Sequence, residues 1–246
     1  MKKLIITFLA LAVFVMPQGY IKTSQAQEFT DEQKVQFEKM MKNYLLNNGE
    51  LILESVNKYQ ADLQEKDRAE AAVKAKVFMT EITKQDLPYA GNEKGDVTLV
   101  EFFDYNCGYC RKALTEIQKV LKDDKNIKVI FMDMPILGPQ SLEASKWSLA
   151  AHRQGKYFEY HQEIMDHNGP KDDKNLERLA EKVGLDIKKL KQDKDDPKIV
   201  KDLETYVTKA QEMGIRGTPG FIIQDQIFPG YIPADQIKEV IAKARQ

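Results

Sequence analysis

The sequence predicts an α/β domain that carries a helical insertion and is preceded by an α-helical extension. Two strongly apolar runs, Val97 to Phe103 and Ile127 to Met134, enclose a single helical pattern, which marks a βαβ unit with parallel strands. Between residues 141 and 214 apolar residues recur at helical spacing and no convincing strand appears. Ahead of the first run, residues 27–86 repeat apolar side chains at intervals of three and four among alternating charges.

The chain opens with Lys2 and Lys3, an apolar run from Leu4 to Met16 interrupted only by Thr7, and small residues at Ser24 and Ala26. This is the pattern of a cleaved export signal over residues 1–26. The run falls short of the roughly 20 apolar residues that a spanning helix needs.

Thr30-x-x-Gln33 is a capping box, and Asp31 and Glu32 suit the first turn of a helix that places Phe37, Met40, Met41, Tyr44 and Leu45 on one face. Asn47-Asn48-Gly49 ends it. A second helical pattern runs through Ile52, Val56, Tyr59 and Leu63, then Ala69, Ala72, Val73 and Val77, to about Ile82. Apolar faces on helices this charged need a partner, either the following domain or another subunit, and the second is favoured.

Residues 87–96, with Pro88, Gly91 and Gly95, read as a linker. Val97 to Phe103 then reads as a strand buried on both faces. A helix begins at about Cys107, with Leu114, Ile117 and Leu121 on one side, and Ile127 to Met134 is the second strand. The insertion, about 141–214, is expected to hold roughly four helices, with its charged clusters Lys171 to Lys174 and Asp193 to Asp196 on solvated surface. Phe221 to Ile223 and Ile227-Phe228 flank a polar turn and form a hairpin, and a last helix starts at Pro233.

Composition sets outer bounds. The 246 residues hold 37 Lys+Arg against 38 Asp+Glu, so no basic field is present to hold nucleic acid. Two cysteines are too few for a disulfide-dense scaffold or an all-cysteine zinc site.

Those two cysteines carry the chemistry. Cys107-Gly108-Tyr109-Cys110 follows a buried strand and opens a helix inside a βαβ unit, the context that makes C-x-x-C a redox motif. At the helix start, unpaired N–H groups and the positive end of the dipole favour the Cys107 thiolate. Cys110, one turn on, is expected to be shielded and able to close a disulfide, so Cys107 attacks and Cys110 resolves. A structural disulfide is disfavoured because so short a loop constrains little chain entropy. Zinc is disfavoured because His152, His161 and His167 lack ligand spacing, although two thiolates suit Cu(I).

With Gly217-Thr218-Pro219 about a hundred residues later, Phe102-Phe103-Asp104-Tyr105-Asn106-Cys107-Gly108-Tyr109-Cys110 resembles the exported DsbA-like thioredoxin-fold disulfide oxidoreductases over residues 97–246. The N-terminal segment, with Tyr44-Leu45-Leu46-Asn47-Asn48, is similar to the helical extension of oligomeric members, the ScsC-like and Com1-like proteins. The resemblance implies a thioredoxin fold, a cis Pro219 that faces Cys107, a Thr218 that contacts the sulfur, and a Glu101 near Cys110. A buried Glu101 would take the proton from Cys110, although Glu101 also reads as an outward-facing strand residue. No cofactor beyond the Cys107-Cys110 pair is implied. The implied partners are client proteins with cysteines, a membrane redox partner that reduces or reoxidises the dithiol, and further copies of the chain. Localisation is expected to be exported, periplasmic in a Gram-negative bacterium or associated with the cell surface.

The Gly-Tyr pair between the cysteines and the Thr before Pro219 resemble isomerases more than strong oxidases. Isomerase or reductase action is therefore favoured; a monomeric dithiol oxidase and a Cu(I)-binding or holdase-type protein remain the alternatives.

Overall fold

The computed structural model describes residues 29–246, so the export signal expected at residues 1–26 lies outside the described residues. The chain divides into two units, Met1–Lys58 and Tyr59–Gln246. Among the described residues, no helix is long and apolar enough to cross a membrane.

The first unit holds α1 (Asp31–Asn47) and the opening turns of α2 (Gly49–Ile82). The capping box forms: Thr30 Oγ1 accepts from the Gln33 amide at 3.3 Å, and Gln33 Oε1 accepts from the Thr30 amide at 3.0 Å. Asn48 ends α1 by donating its side-chain amide to the Tyr44 carbonyl at 2.7 Å. No residue of α1 is buried, and Phe37, Met40, Tyr44, Leu45, Leu51, Ile52 and Val56 all remain exposed.

In the second unit the final turns of α2 bury Ala75, Phe78, Met79 and Ile82. Here the structure departs from the apolar stripe read from the sequence, because Val73 and Val77 stay exposed. The Phe78 ring lies 5.9 Å from that of Phe102, so this aromatic side chain outweighs the two valines in setting the buried face.

The expected linker is not wholly irregular. Within residues 87–96, Tyr89–Gly91 forms a short edge strand, β1, antiparallel to β3 (Ile127–Asp133). Gly91, at φ +88°, lets the chain pass close to the Ile127 carbonyl, where a side chain would collide.

Five strands form one sheet in the order β1-β3-β2-β4-β5, with β2 (Val97–Phe103) at its centre. β2 runs parallel to β3, and α3 (Gly108–Asp123) connects them. β4 (Gly220–Ile223) pairs antiparallel with β2 and with β5 (Gln226–Pro229). With neighbours on both edges and helices on its faces, β2 is almost wholly buried, as its nearly continuous apolar sequence requires.

The insertion comprises α4 (Pro139–His152), α5 (Tyr157–Asp166), α6 (Asp173–Lys182), α7 (Ile187–Asp193) and α8 (Pro197–Glu212), five helices where four were expected. Part of its charge is structural rather than solvated. Asp172, Asp186 and Asp196 cap α6, α7 and α8, satisfying backbone N–H groups that the first turn leaves free. Lys171 is buried, with its ammonium donating to the His167 carbonyl at 2.6 Å. The last helix, α9 (Ala234–Ala244), packs on α3, and Glu116 of α3 accepts from the Ala234 amide at 3.0 Å.

Candidate active site

Strand β2 ends at Phe103, and four residues carry the chain to the N-terminus of α3. Cys107 is the N-cap of that helix, with extended backbone angles, and its sulfur accepts from the Cys110 amide at 3.3 Å. Cys107 thus occupies the place where a helix offers unpaired donors to an anion. Cys110 is fully buried one turn on, and both thiols are free.

Thr218 and Pro219 arrive from the far end of the insertion, immediately before β4. The peptide bond between them is cis, Pro219 is buried, and the Thr218 carbonyl accepts from the Cys107 thiol at 3.3 Å. The structure therefore brings Cys107, Cys110, Thr218 and Pro219 together across more than a hundred residues of sequence.

The electrostatics separate the two sulfurs. Hydrogen bonds from the Cys110 thiol, from the Thr218 side chain and from the amides of Cys110 and Tyr109 outweigh desolvation and hold the Cys107 thiol down at about 6. Burial, the bond to Cys107 and the nearby Glu101 push the Cys110 thiol well above its ordinary value. One sulfur is a thiolate at neutral pH, and the other keeps its proton.

Glu101 points into the core rather than outward. It lies on β2 between Phe131 and Phe221 in register, is 1% exposed, and neither carboxyl oxygen has a hydrogen-bond partner. Desolvation, reinforced by the charge on Cys107, raises its proton affinity strongly.

Residues 98–242 match the profile described as the DSBA-like thioredoxin domain. The chain belongs to this family. A thioredoxin-like oxidoreductase from Silicibacter pomeroyi DSS-3 is 38% identical, covering 66% of this chain and 94% of that one, with a TM-score of 0.63. The thiol-disulfide exchange protein alpha-DsbA2 from Wolbachia pipientis is 30% identical, covering 73% and 97%, with a TM-score of 0.67. A linker-deletion mutant of ScsC from Proteus mirabilis covers 90% of this chain and 99% of its own at a TM-score of 0.68; at 21% identity this is a likeness of fold. The chain spans about a quarter of the length of the first curated relatives it matches, which are sodium/proton antiporters (24% of the first).

In the DSBA-like domain His161 is a packing residue. His161 is buried between the rings of Phe103 and Phe131, each 4.7 Å away, and its Nδ1 lies 3.1 Å from the Tyr105 hydroxyl. Burial holds the imidazole down at about 3, so it stays neutral. His152 instead pairs with Asp86 at 3.2 Å. Among the described residues, no group of three or more histidine, cysteine or acidic side chains is placed to hold a metal ion.

Two acids of this DSBA-like domain escaped the sequence reading. Asp133, at the end of β3, accepts from Ser148 at 3.0 Å and from the Tyr157 hydroxyl at 2.9 Å, inside the insertion's contact with the sheet. Desolvation pushes its carboxyl up to about 7. Asp104, fully buried just before the cysteine turn, accepts from backbone and side-chain donors of three segments. Its place between an apolar strand and a helix, a position where Asp commonly folds back on nearby N–H groups, was the available sign.

Proposed function

We propose that this chain is an exported thiol:disulfide oxidoreductase that acts on cysteine-containing client proteins. The unequal state of the two sulfurs carries this reading: Cys107, 9% exposed at a helix N-terminus, is held down as a thiolate, while Cys110 is a fully buried thiol one turn away. The Cys107 thiolate attacks a client disulfide, forming a mixed disulfide and releasing one client thiolate. Cys110, once deprotonated, attacks the Cys107 sulfur and releases the second. The dithiol loses two electrons and the client disulfide gains them; the reverse sequence donates a disulfide. Glu101 accepts the Cys110 proton, and Thr218 and Pro219 seat the client backbone beside the sulfur. The dithiol is the whole redox centre, and a membrane redox partner resets it.

Among the directions such a dithiol can run, isomerisation or reduction is favoured. The exposed apolar faces of α1 and the start of α2 support assembly of several copies, which would raise the local concentration of active sites around a misfolded client. Refolding of a scrambled-disulfide substrate, with the mass of the protein measured alongside, tests this. Isomerisation by an oligomer supports it; dithiol oxidation by a monomer replaces it. Client protection or copper binding that survives Cys107→Ala undiminished would make the exchange chemistry secondary.

A further inference from the structure

The turn that presents Cys107 is fastened by a side chain that touches neither sulfur. Asp104 Oδ1 accepts from the Asn106 amide and from the Ser141 hydroxyl, both at 2.7 Å. Asp104 Oδ2 accepts from the amides of Ile136 and Leu137 at 2.8 and 2.9 Å. Asn106 closes a ring by donating its side-chain amide to the Ser141 oxygen at 2.9 Å, and the Asp104 carbonyl accepts from the Cys107 amide at 3.0 Å.

One carboxylate therefore joins three segments: the cysteine turn, the loop that follows β3, and the first turn of α4. Four donors, at 2.7 to 2.9 Å, satisfy both oxygens of this fully buried side chain, so parting any of the three segments leaves a buried polar group without its partner. The joined loop is not core. Ile136 and Leu137 remain 39% and 52% exposed, and Leu142 of α4 is 39% exposed as well. Tyr109, two residues after Cys107, is also exposed, with its ring centroid 6.2 Å from that of the exposed Tyr231.

We propose that Asp104 is a positioning residue for thiol exchange, clamping the Ile136-Leu137 loop to the Cys107 turn so that sulfur and apolar side chains meet a client as one edge. The partner this edge fits is a peptide segment with apolar residues beside its cystine. The proposal rests on the thiol-exchange reading and adds a division of labour to it. A small disulfide needs only the sulfur, whereas a peptide needs the sulfur and the loop in register.

The test uses the full chain in its reduced form and two oxidants, glutathione disulfide and a synthetic peptide disulfide bearing leucine and phenylalanine beside its cysteines. In each reaction the dithiol gives two electrons, becoming the Cys107-Cys110 disulfide, and the oxidant becomes two thiols. Asp104→Asn keeps the shape but sets an amide NH2 against N–H donors. Its rate on the peptide is expected to fall at least fivefold more than its rate on glutathione disulfide. The double variant Ile136→Ser/Leu137→Ser alters only exposed side chains, leaves the clamp intact, and is expected to lower the same ratio. It decides the matter if Asp104→Asn does not fold. A peptide-to-glutathione ratio within twofold of wild type in either folded variant overturns the proposal. A wild type inactive on both oxidants overturns the exchange reading itself, a different result.

Discussion

The carboxyl of Glu101 raises the proton affinity of the Cys110 thiol, and both groups are buried behind the turn that carries Cys107. The coupling of their charges places the Glu101 carboxyl within electrostatic reach of the proton that Cys110 must lose before it can attack. Glu101→Gln is accordingly expected to slow release of a mixed disulfide at Cys107 by about tenfold or more at neutral pH, within the usual range for general acid–base groups. Quenched-flow trapping of the mixed disulfide measures it. An unchanged release rate would remove Glu101 from the proton path.

Cys107 titrates far below Cys110. Alkylation of the reduced protein by iodoacetamide is expected to rise through a midpoint near pH 6, with the label on Cys107 and not on Cys110. Because the folded state lowers this pKa, the thiolate stabilises the reduced fold above the unfolded pKa, and that stability is lost as pH falls through about 6. Denaturant melts of reduced wild type against Cys107→Ser across pH 5 to 9 read the difference. Peptide mapping that finds Cys110 labelled first would contradict the assignment of roles.

Asp133 has the opposite sign. Its folded pKa is raised to about 7, so the protonated carboxyl favours the fold at low pH and the contribution is lost as pH rises through 7. At about 1.4 kcal/mol per unit the change is of order 4 kcal/mol as an upper bound, spread between pH 4 and 7. Asp133→Asn is expected to flatten that slope in urea melts. Tyr157→Phe removes a bond that holds the carboxyl down, and is expected to move the window to higher pH.

Leu45 and Ile52 are exposed on α1 and α2, at 45% and 43%, and line one surface pocket with Tyr44, Leu51 and Val56. Leu45→Glu/Ile52→Glu is expected to lower the mass found by light scattering while leaving reactivity toward glutathione disulfide in place. A wild type that is already monomeric at working concentration would end the assembly argument.

Local chemistry was legible in the sequence, and distant pairing was not. The C-x-x-C at a strand-to-helix turn and the capping box at Thr30 are decided within a few residues, so spacing alone located them. β1 escaped because three residues carry no period, and the buried face of α2 escaped because Phe78 outweighs Val73 and Val77 only once Phe102 is beside it. Glu101 lay in an apolar run, but its lack of any partner depends on Phe131 and Phe221 from other strands. Asp104 gave the least warning, since three of its donors lie more than thirty residues away.

The contact between the Cys107 thiol and the Thr218 carbonyl spans 111 residues. Strand β2, α3 and β3 are local to one another, whereas this contact waits on the whole insertion, and long closures are made late in folding. As the chain is made, Cys107 and Cys110 are therefore in place before the segment that will face them. For that interval the pair is held in its turn without the carbonyl that will lie opposite it.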